Sequence, residues 1–253
     1  MGFLGIEDGH LTFHPRNLIA FALTITVIAF AICYDMSIKE GHINPPEYFL
    51  SSSINYMPAS SIGAFGLILA IVCIPPVMFA RYIQVENNAP NLLVNKISLY
   101  SSWIASFGGF VVACFQARSN IHIHLAGAGV FFAFSLFVVL SQLYLDHIIR
   151  DKVPRGLGQK LRIGIGFVSV GSLVTLAIQG LMILIEYKGD VSKGTPDGLK
   201  LPMSVMELLF FATCLAIYAT MIPDLATLRL RLSVVDVNAQ DVNTSGARMK
   251  PYL

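Results

Sequence analysis

Four polar side chains have the types and positions needed for proton transfer or hydrogen bonding at a membrane. Gln116 and His124 flank a short polar segment between two apolar stretches, Glu186 ends a third stretch, and Glu207 lies inside a fourth. Polar groups in a bilayer are costly, so each needs a partner or a function. An imidazole and a carboxyl at the same depth can pair. The sequence therefore predicts one shared polar pocket built from these four residues.

This predicted pocket has two interpretations. It binds a lipid headgroup or titrates with the local pH, or its hydrogen bonds only fix helix packing. In a catalytic version His124 is the general base and Glu207 orients it; otherwise no catalytic residue is expected. His122 precedes His124 by two positions, so the two imidazoles face different sides of a helix and a shared metal site is not expected. We expect neither a metal nor a cofactor.

Long apolar stretches must position these side chains. Of the 253 residues 55% are hydrophobic and only 13% are charged, which is about half the charged fraction of a soluble protein. This composition excludes a disordered chain, a basic nucleic-acid-binding protein and an ordinary soluble enzyme. A bilayer core needs roughly 20 apolar residues of helix. Six windows of about that length lie near 17–35, 60–80, 97–115, 124–145, 163–186 and 203–223.

The expected fold class is all-α, a polytopic membrane protein with six transmembrane helices. Strands are not expected, because the windows are apolar all round rather than alternating. We expect the chain to have three regions: a cytosolic N-terminus at 1–16, a six-helix membrane domain at 17–232 and a flexible cytosolic tail at 233–253. Small residues such as Gly108 and Gly127 predict close approach between helices.

The basic residues predict how the chain is oriented in the membrane. Alternate connecting segments hold 12 and 5 of the 17 Lys and Arg residues. Because basic residues favour the cytosolic side, both termini are expected in the cytosol and the predicted pocket on the lumenal side. Arg81 is expected to extend its guanidinium to the cytosolic headgroups. The richer set is Arg16, Arg81, Lys96, Arg150, Lys152, Arg155, Lys160, Arg162, Arg229, Arg231, Arg248 and Lys250.

Short motifs at the ends of the second and third windows follow recognisable patterns. The segment 80–85, Ala-Arg-Tyr-Ile-Gln-Val, matches V-R-Y-x-Q with Ala in place of the first Val. Phe115 and Gln116 match N-F-Q, with Cys114 in place of Asn.

Two further motifs complete an ordered set. His124 begins a segment that matches H-x-x-G-A, and Glu207 and Asp224 match E-W-x…D-F, with Leu208 and Leu225 as the departures. In this order and spacing, over roughly residues 15–230, the chain resembles the Frag1/DRAM/Sfk1 family. That family includes DRAM and TMEM150 proteins and, more distantly, PGAP2 and the N-terminal region of Cwh43.

The resemblance implies a six-span membrane regulator rather than an enzyme. It would modulate autophagy and lysosomal function, or phosphoinositide and lipid organisation, from a lysosomal or other endomembrane or from the plasma membrane. The implied partners are membrane lipids together with membrane or cytosolic proteins, and no nucleic acid. The alternative is a PGAP2-like GPI-anchor lipid-remodelling factor that uses His124 and Glu207 on the lumenal side.

Overall fold

A computed structural model describes the main part of the chain. The described residues are 4–7, 10–44, 48–149, 157–188, 190 and 195–232. The predicted tail at 233–253 lies outside these residues. The helices are α1 (Pro15–Lys39), α2 (Leu50–Ser53), α3 (Ala59–Asn88), α4 (Leu93–Cys114), α5 (Ile121–Ile149), α6 (Leu157–Glu186) and α7 (Asp197–Met221). The strands are β1 (Leu4–Glu7), β2 (His10–Phe13) and β3 (Leu230–Leu232).

The prediction of six transmembrane helices is confirmed. All the long helices, α1 and α3 to α7, are long and apolar enough to cross a membrane. Each contains most of its predicted window, and several extend beyond it. For example, the window at 60–80 lies inside Ala59–Asn88. A helix of that length exceeds the bilayer core, so its polar ends lie at the headgroups.

Close packing between α4 and α5 depends on two of the predicted glycines. A Cβ added to Gly108 would lie 2.6 Å from the backbone nitrogen of Phe131 and 2.8 Å from the carbonyl oxygen of Gly127. A Cβ added to Gly127 would lie 2.7 Å from a methyl carbon of Val111. Side chains at these positions would hold the helices apart, so the expectation of close approach is correct.

A small sheet joins the two ends of the helical domain, and the sequence did not predict it. β1 pairs antiparallel with β2, and β2 pairs antiparallel with β3. The segment before α1 and the segment after α7 therefore meet at one end of the bundle, which we call the sheet end. The opposite end, which carries α2, is the loop end. Which end faces the cytosol stays a prediction.

The connection from α1 to α3 folds over the loop end. Ser37 Oγ donates to the Ser53 carbonyl at 2.9 Å, and the Tyr34 hydroxyl donates to the Tyr48 carbonyl at 2.5 Å. Ile54 is only 2% exposed. These contacts fix α2 against the transmembrane helices, so α2 forms part of the wall around the space between those helices at the loop end.

Candidate functional site

A cavity at the loop end brings together two of the four residues of the predicted pocket. His124 from α5 and Glu207 from α7 both line this loop-end cavity, whose volume is about 490 Å³. Its remaining walls come from α2 and the residues beside it, from α6, and from the segments before α5 and α7. Topology alone predicted that these two side chains would lie near one membrane face, and in the structure they face the same space.

The other two predicted residues lie outside the lining of this cavity. The main-chain carbonyl of Gln116 accepts hydrogen bonds from the backbone N–H groups of Ser119 and Asn120, at 3.0 and 3.1 Å. Glu186 is the last residue of α6 and its side chain is exposed. Within the part of the chain that the structure describes, neither contributes to the wall.

His124 is held by the turn that connects α4 to α5. Asn120 begins the helix, because its Oδ1 accepts from the Ile123 backbone N–H at 3.1 Å, as an N-terminal cap does. The Nδ1 atom of His124 lies 2.8 Å from the Phe115 carbonyl oxygen. A carbonyl only accepts, so Nδ1 carries the hydrogen and the Nε2 of a neutral ring is left as an acceptor. This is the tautomer that a general base would need.

Glu207 links α7 by hydrogen bonds to the connection between α1 and α3. Its Oε2 accepts from the Leu50 backbone N–H at 3.2 Å, and the Ser51 N–H also bonds to the carboxyl. Phe49 precedes α2 and provides no side-chain cap. Glu207 therefore caps α2 from another helix, where a carboxylate suits the free N–H groups. His124 and Glu207 therefore both bond to main-chain groups, the Phe115 carbonyl and the Leu50 N–H.

Two cations at the mouth of the loop-end cavity were missed by the sequence reasoning. Arg118 and Lys200 both line it. The Arg118 guanidinium lies 4.3 Å from the centroid of the Tyr56 ring, and Lys200 Nζ lies 2.9 Å from Asp197 Oδ1. The count of basic residues places both on the predicted lumenal side, together with Lys39, Lys188 and Lys193. It does not show that Arg118 and Lys200 share one opening, which depends on the fold of the α2 connection.

Below the polar mouth the surroundings become apolar and aromatic. A smaller cavity of about 50 Å³ shares His124, Ala128 and Glu207 with the loop-end cavity and continues towards Phe131 and Phe211. The rings of those two phenylalanines have centroids 6.3 Å apart. The site therefore changes from charged side chains at the surface to apolar side chains inside the bundle.

A second polar cluster lies at the sheet end, and we call it the arginine–aspartate network (Arg81, Asp146, Arg162 and Asp224). Arg81 Nη2 lies 2.7 Å from Asp146 Oδ1, and Arg162 Nη1 lies 2.5 Å from Asp146 Oδ2. Arg162 also pairs with Asp224. The two arginine side chains are 1% and 0% exposed. The network joins α3, α5, α6 and the turn after α7.

Neutral side chains complete this network. Arg81 Nε donates to Gln142 Oε1 at 3.1 Å, and Gln142 Nε2 donates to Ser98 Oγ at 2.8 Å. Gln84 accepts from Arg81 Nη1 at 2.7 Å and donates to the Asp224 carbonyl at 2.8 Å. Buried charges of opposite sign that are also hydrogen-bonded hold one arrangement. The network is therefore best understood as a structural clamp.

The expectation that Arg81 reaches out to the headgroups is wrong. Its guanidinium lies inside the bundle because Asp146, from a distant part of the sequence, offers a charge-assisted partner there. The predicted windows at 124–145 and 163–186 leave Asp146 and Arg162 in the segment between them, whereas both residues lie within helices, α5 and α6. Sequence position alone does not show this pairing, because Arg81 and Asp146 come from segments 65 positions apart.

Comparison with known proteins gives a consistent family assignment. The profile of the family described as Frag1/DRAM/Sfk1/Cwh43P N-terminal domain matches residues 16–228. The chain is 27% identical over 140 residues to modulator of macroautophagy TMEM150B of Xenopus tropicalis, covering 53% of this chain and 60% of the relative. It is 27% identical over 148 residues to human DNA damage-regulated autophagy modulator protein 2, covering 56% and 54%.

A third relative, DNA damage-regulated autophagy modulator protein 1 of Xenopus laevis, is 28% identical over 139 residues, covering 51% of this chain and 57% of the relative. The chain thus spans little more than half the length of the curated relatives that it matches. No solved structure matches the chain significantly. The six apolar helices and the profile match across all of them make this an integral multi-pass membrane protein, and it belongs to the Frag1/DRAM/Sfk1 family.

Proposed function

We propose that this protein is a non-enzymatic membrane regulator that modulates autophagy. The observation that carries the proposal is the profile match over 16–228, which includes all six long helices, together with relatives named as autophagy modulators. In this proposal the protein acts in a lysosomal or other endomembrane, or in the plasma membrane. Modulation of phosphoinositide or lipid organisation is the related form of the same role.

The geometry supports a regulator that contacts lipid. The arginine–aspartate network fixes the helices at the sheet end, and the loop-end cavity offers a charged mouth above an apolar interior. A rigid bundle with one ligand-accessible end suits a protein that responds to its membrane and conveys the response to partners. Partners are expected among membrane and cytosolic proteins.

Autophagic flux in cells that lack the protein tests this proposal. We expect the lysosome-inhibitor-dependent accumulation of a lipidated autophagosome marker to change by at least about twofold, and re-expression of the wild type to restore it. The control is re-expression of Asp146→Asn, which breaks the network and is expected not to rescue. Unchanged flux, with unchanged lysosomal pH and phosphoinositide levels, would refute the proposal.

A second candidate function is lipid remodelling of GPI anchors. One observation favours it: His124 and Glu207 line the same cavity, and the Phe115 carbonyl fixes the His124 tautomer that leaves Nε2 as a base. Nε2 would take a proton from water as the water oxygen attacks the ester carbonyl of the anchor lipid. The imidazolium would then return that proton to the leaving alkoxide as the acyl–oxygen bond breaks, which releases a fatty acid and an alcohol. Against it, the bonds described for Glu207 go to α2 rather than to the imidazole.

The variant His124→Asn separates the two candidates. Asn keeps an N–H donor near the position of Nδ1, so the bond to the Phe115 carbonyl is retained, but it has no basic nitrogen. The remodelling candidate predicts that GPI-anchor lipids in cells carrying this variant match those of the knockout. A lipid profile identical to the wild type would exclude that candidate and leave the regulatory one intact.

A further inference from the structure

We infer that the loop-end cavity binds a glycerophospholipid, with the phosphate at Arg118 and Lys200 and an acyl chain between α5 and α6. This inference goes beyond the proposed role in autophagy, since it depends only on the shape and charge of the cavity. It names the ligand by its chemistry: one phosphate ester joined to a long apolar chain.

The mouth of the cavity is suited to a phosphate. Arg118 is held over the Tyr56 ring at 4.3 Å, so its guanidinium is already ordered before a ligand arrives. Lys200 is 28% exposed and pairs with Asp197, which is 93% exposed, so water screens this ion pair on the Asp197 side. An ammonium has three donors, so Lys200 can serve a phosphate and Asp197 together. Arg and Lys are the residues that proteins use for phosphate.

Neutral polar groups surround these cations. Ser51 and Asn55, from α2 and the turn after it, line the same mouth, and Thr195 lines it from the segment before α7. Their hydroxyl and amide groups can bond to the glycerol and ester oxygens that follow the phosphate in a phospholipid. From the surface inwards, the cavity therefore presents cations, then neutral polar groups, then apolar side chains. A phospholipid has its phosphate, glycerol ester and acyl chain in the same order.

The cavity reaches the depth of acyl chains. Its lining on α5 runs from Ile121 to Phe132, which is about 16 Å of helix at 1.5 Å per residue. On α6 it reaches Leu176, about 15 Å from the end of that helix at Glu186. Both helices are longer than the roughly 30 Å bilayer core, so the first part of this length lies at the headgroups and the deeper part lies at the depth of acyl chains. A small soluble anion would leave this apolar part unused.

The chain can enter from the bilayer because α5 and α6 separate towards the loop end. At the sheet end they are close: a Cβ added to Gly166 would lie 2.4 Å from a methyl carbon of Leu143. At the loop end the cavity lies between Ala128 on α5 and Leu176 on α6. Leu125 also lines the cavity and is 45% exposed, which indicates an opening towards lipid.

Glu207 does not oppose binding at the mouth. It lies below Lys200 by about 10 Å of helix, and the Leu50 backbone N–H already engages its carboxyl. A phosphate at the helix ends therefore meets the two cations first. The deeper carboxyl belongs to the wall that holds α2 in place.

Native mass spectrometry of the detergent-purified full chain tests the inference with three probes. They are phosphatidylglycerol, diacylglycerol with the same acyl chains, and soluble glycerol phosphate. We expect one phosphatidylglycerol per chain, bound roughly tenfold or more tighter than either of the other two. Equal binding of diacylglycerol would show that the phosphate is not recognised, and equal binding of glycerol phosphate would show a solute site. Either result would overturn the inference.

Charge variants locate the phosphate. The double variant Arg118→Ala/Lys200→Ala is expected to weaken phosphatidylglycerol binding by roughly tenfold or more, to the level of diacylglycerol. The matched control is Lys39→Ala, because Lys39 also lies at the loop end and also pairs with an exposed carboxylate, Asp35. Retained binding in the double variant, or an equal loss in the control, would contradict the assignment.

A volume variant locates the acyl chain. Ala128→Leu adds a side chain inside the cavity, whereas Ala126→Leu adds the same volume on an exposed face of α5. We expect Ala128→Leu to lower the affinity for phosphatidylglycerol and diacylglycerol by at least about fivefold, and Ala126→Leu to leave both unchanged. If Ala128→Leu does not fold, the comparison of phosphatidylglycerol with glycerol phosphate still decides whether the acyl chain contributes to binding. None of these measurements involves autophagy, so this inference and the proposed function fail separately.

Discussion

Buried polar groups have different partners at the two ends of the bundle. At the sheet end, two arginines and two aspartates balance each other in charge and bond to one another across three helices and the turn after α7. At the loop end, His124 and Glu207 bond to backbone groups and face a cavity with two cations at its mouth. Buried charge that is fully paired stabilises one arrangement, whereas polar groups that face a cavity can receive a ligand.

The largest expected effect comes from breaking the arginine–aspartate network. Asp146→Asn removes the charge that faces both Arg81 and Arg162, which leaves the buried Arg81 guanidinium without its paired carboxylate and Arg162 with Asp224 alone. Breaking a buried pair costs about 3–5 kcal/mol of unfolding free energy. The free energy of unfolding in detergent, measured with a denaturant, gives this value.

The matched control for that variant is Asp35→Asn. Asp35 and Lys39 form an exposed pair at 2.7 Å, and such pairs contribute about 0–1 kcal/mol. Similar losses in the two variants would mean that burial of the network does not matter, and the comparison between the two ends would then be unfounded.

Close packing of α4 against α5 gives the next effect. In Gly108→Ala the new methyl group meets the backbone of Phe131 and Gly127, which cannot turn away as a side chain can. Overpacking of this kind costs about 1–3 kcal/mol. In Gly129→Ala the methyl group meets nothing within 4 Å, so stability should be equal or slightly higher. Thermal unfolding of both variants in one detergent makes the comparison, and equal losses would argue against the close approach.

A smaller and local effect is expected for Glu207→Gln. The amide oxygen still accepts one hydrogen bond, but the second carboxyl oxygen is replaced by an N–H donor that cannot accept from α2, at a cost of about 1 kcal/mol. Backbone hydrogen exchange at Leu50 and Ser51 should accelerate about fivefold, while exchange at the sheet end stays unchanged. Acceleration at both ends would show that the loop end and the sheet end unfold as one unit.

The smallest effects are expected for the two predicted pocket residues that lie outside the cavity lining. Glu186→Gln and Gln116→Ala should each change the unfolding free energy by less than about 0.5 kcal/mol. They should also leave the affinity for phosphatidylglycerol unchanged. A loss of affinity as large as that of the Arg118 and Lys200 double variant would restore both residues to the binding site.

The sequence was sufficient for the six helices because hydrocarbon imposes a length and leaves the backbone no partner but itself. It was also sufficient to place His124 and Glu207 at one end, since helix order determines the side on which each residue lies. It did not predict β1 to β3, which are three or four residues long and too short for any periodicity to show.

Pairing between charged residues was beyond sequence reasoning for a different reason. Arg81 and Asp146 lie 65 positions apart, and an arginine at a helix end looks the same whether it points to headgroups or into the bundle. Only the packing of α3 against α5 distinguishes these outcomes. The opening that Arg118 and Lys200 share likewise depends on the fold of the connection that contains α2, which the sequence does not reveal.

The sheet that joins the first and last helices has a practical consequence for topology experiments. Because β2 contacts both β1 and β3, peptides attached just outside these strands emerge beside each other on a single face of the bilayer. The two halves of a split fluorescent protein, fused one to each terminus, should therefore assemble within a single molecule. If the fluorescence is made to depend on one further component that is present only in the cytosol, the signal shows whether that face borders the cytosol.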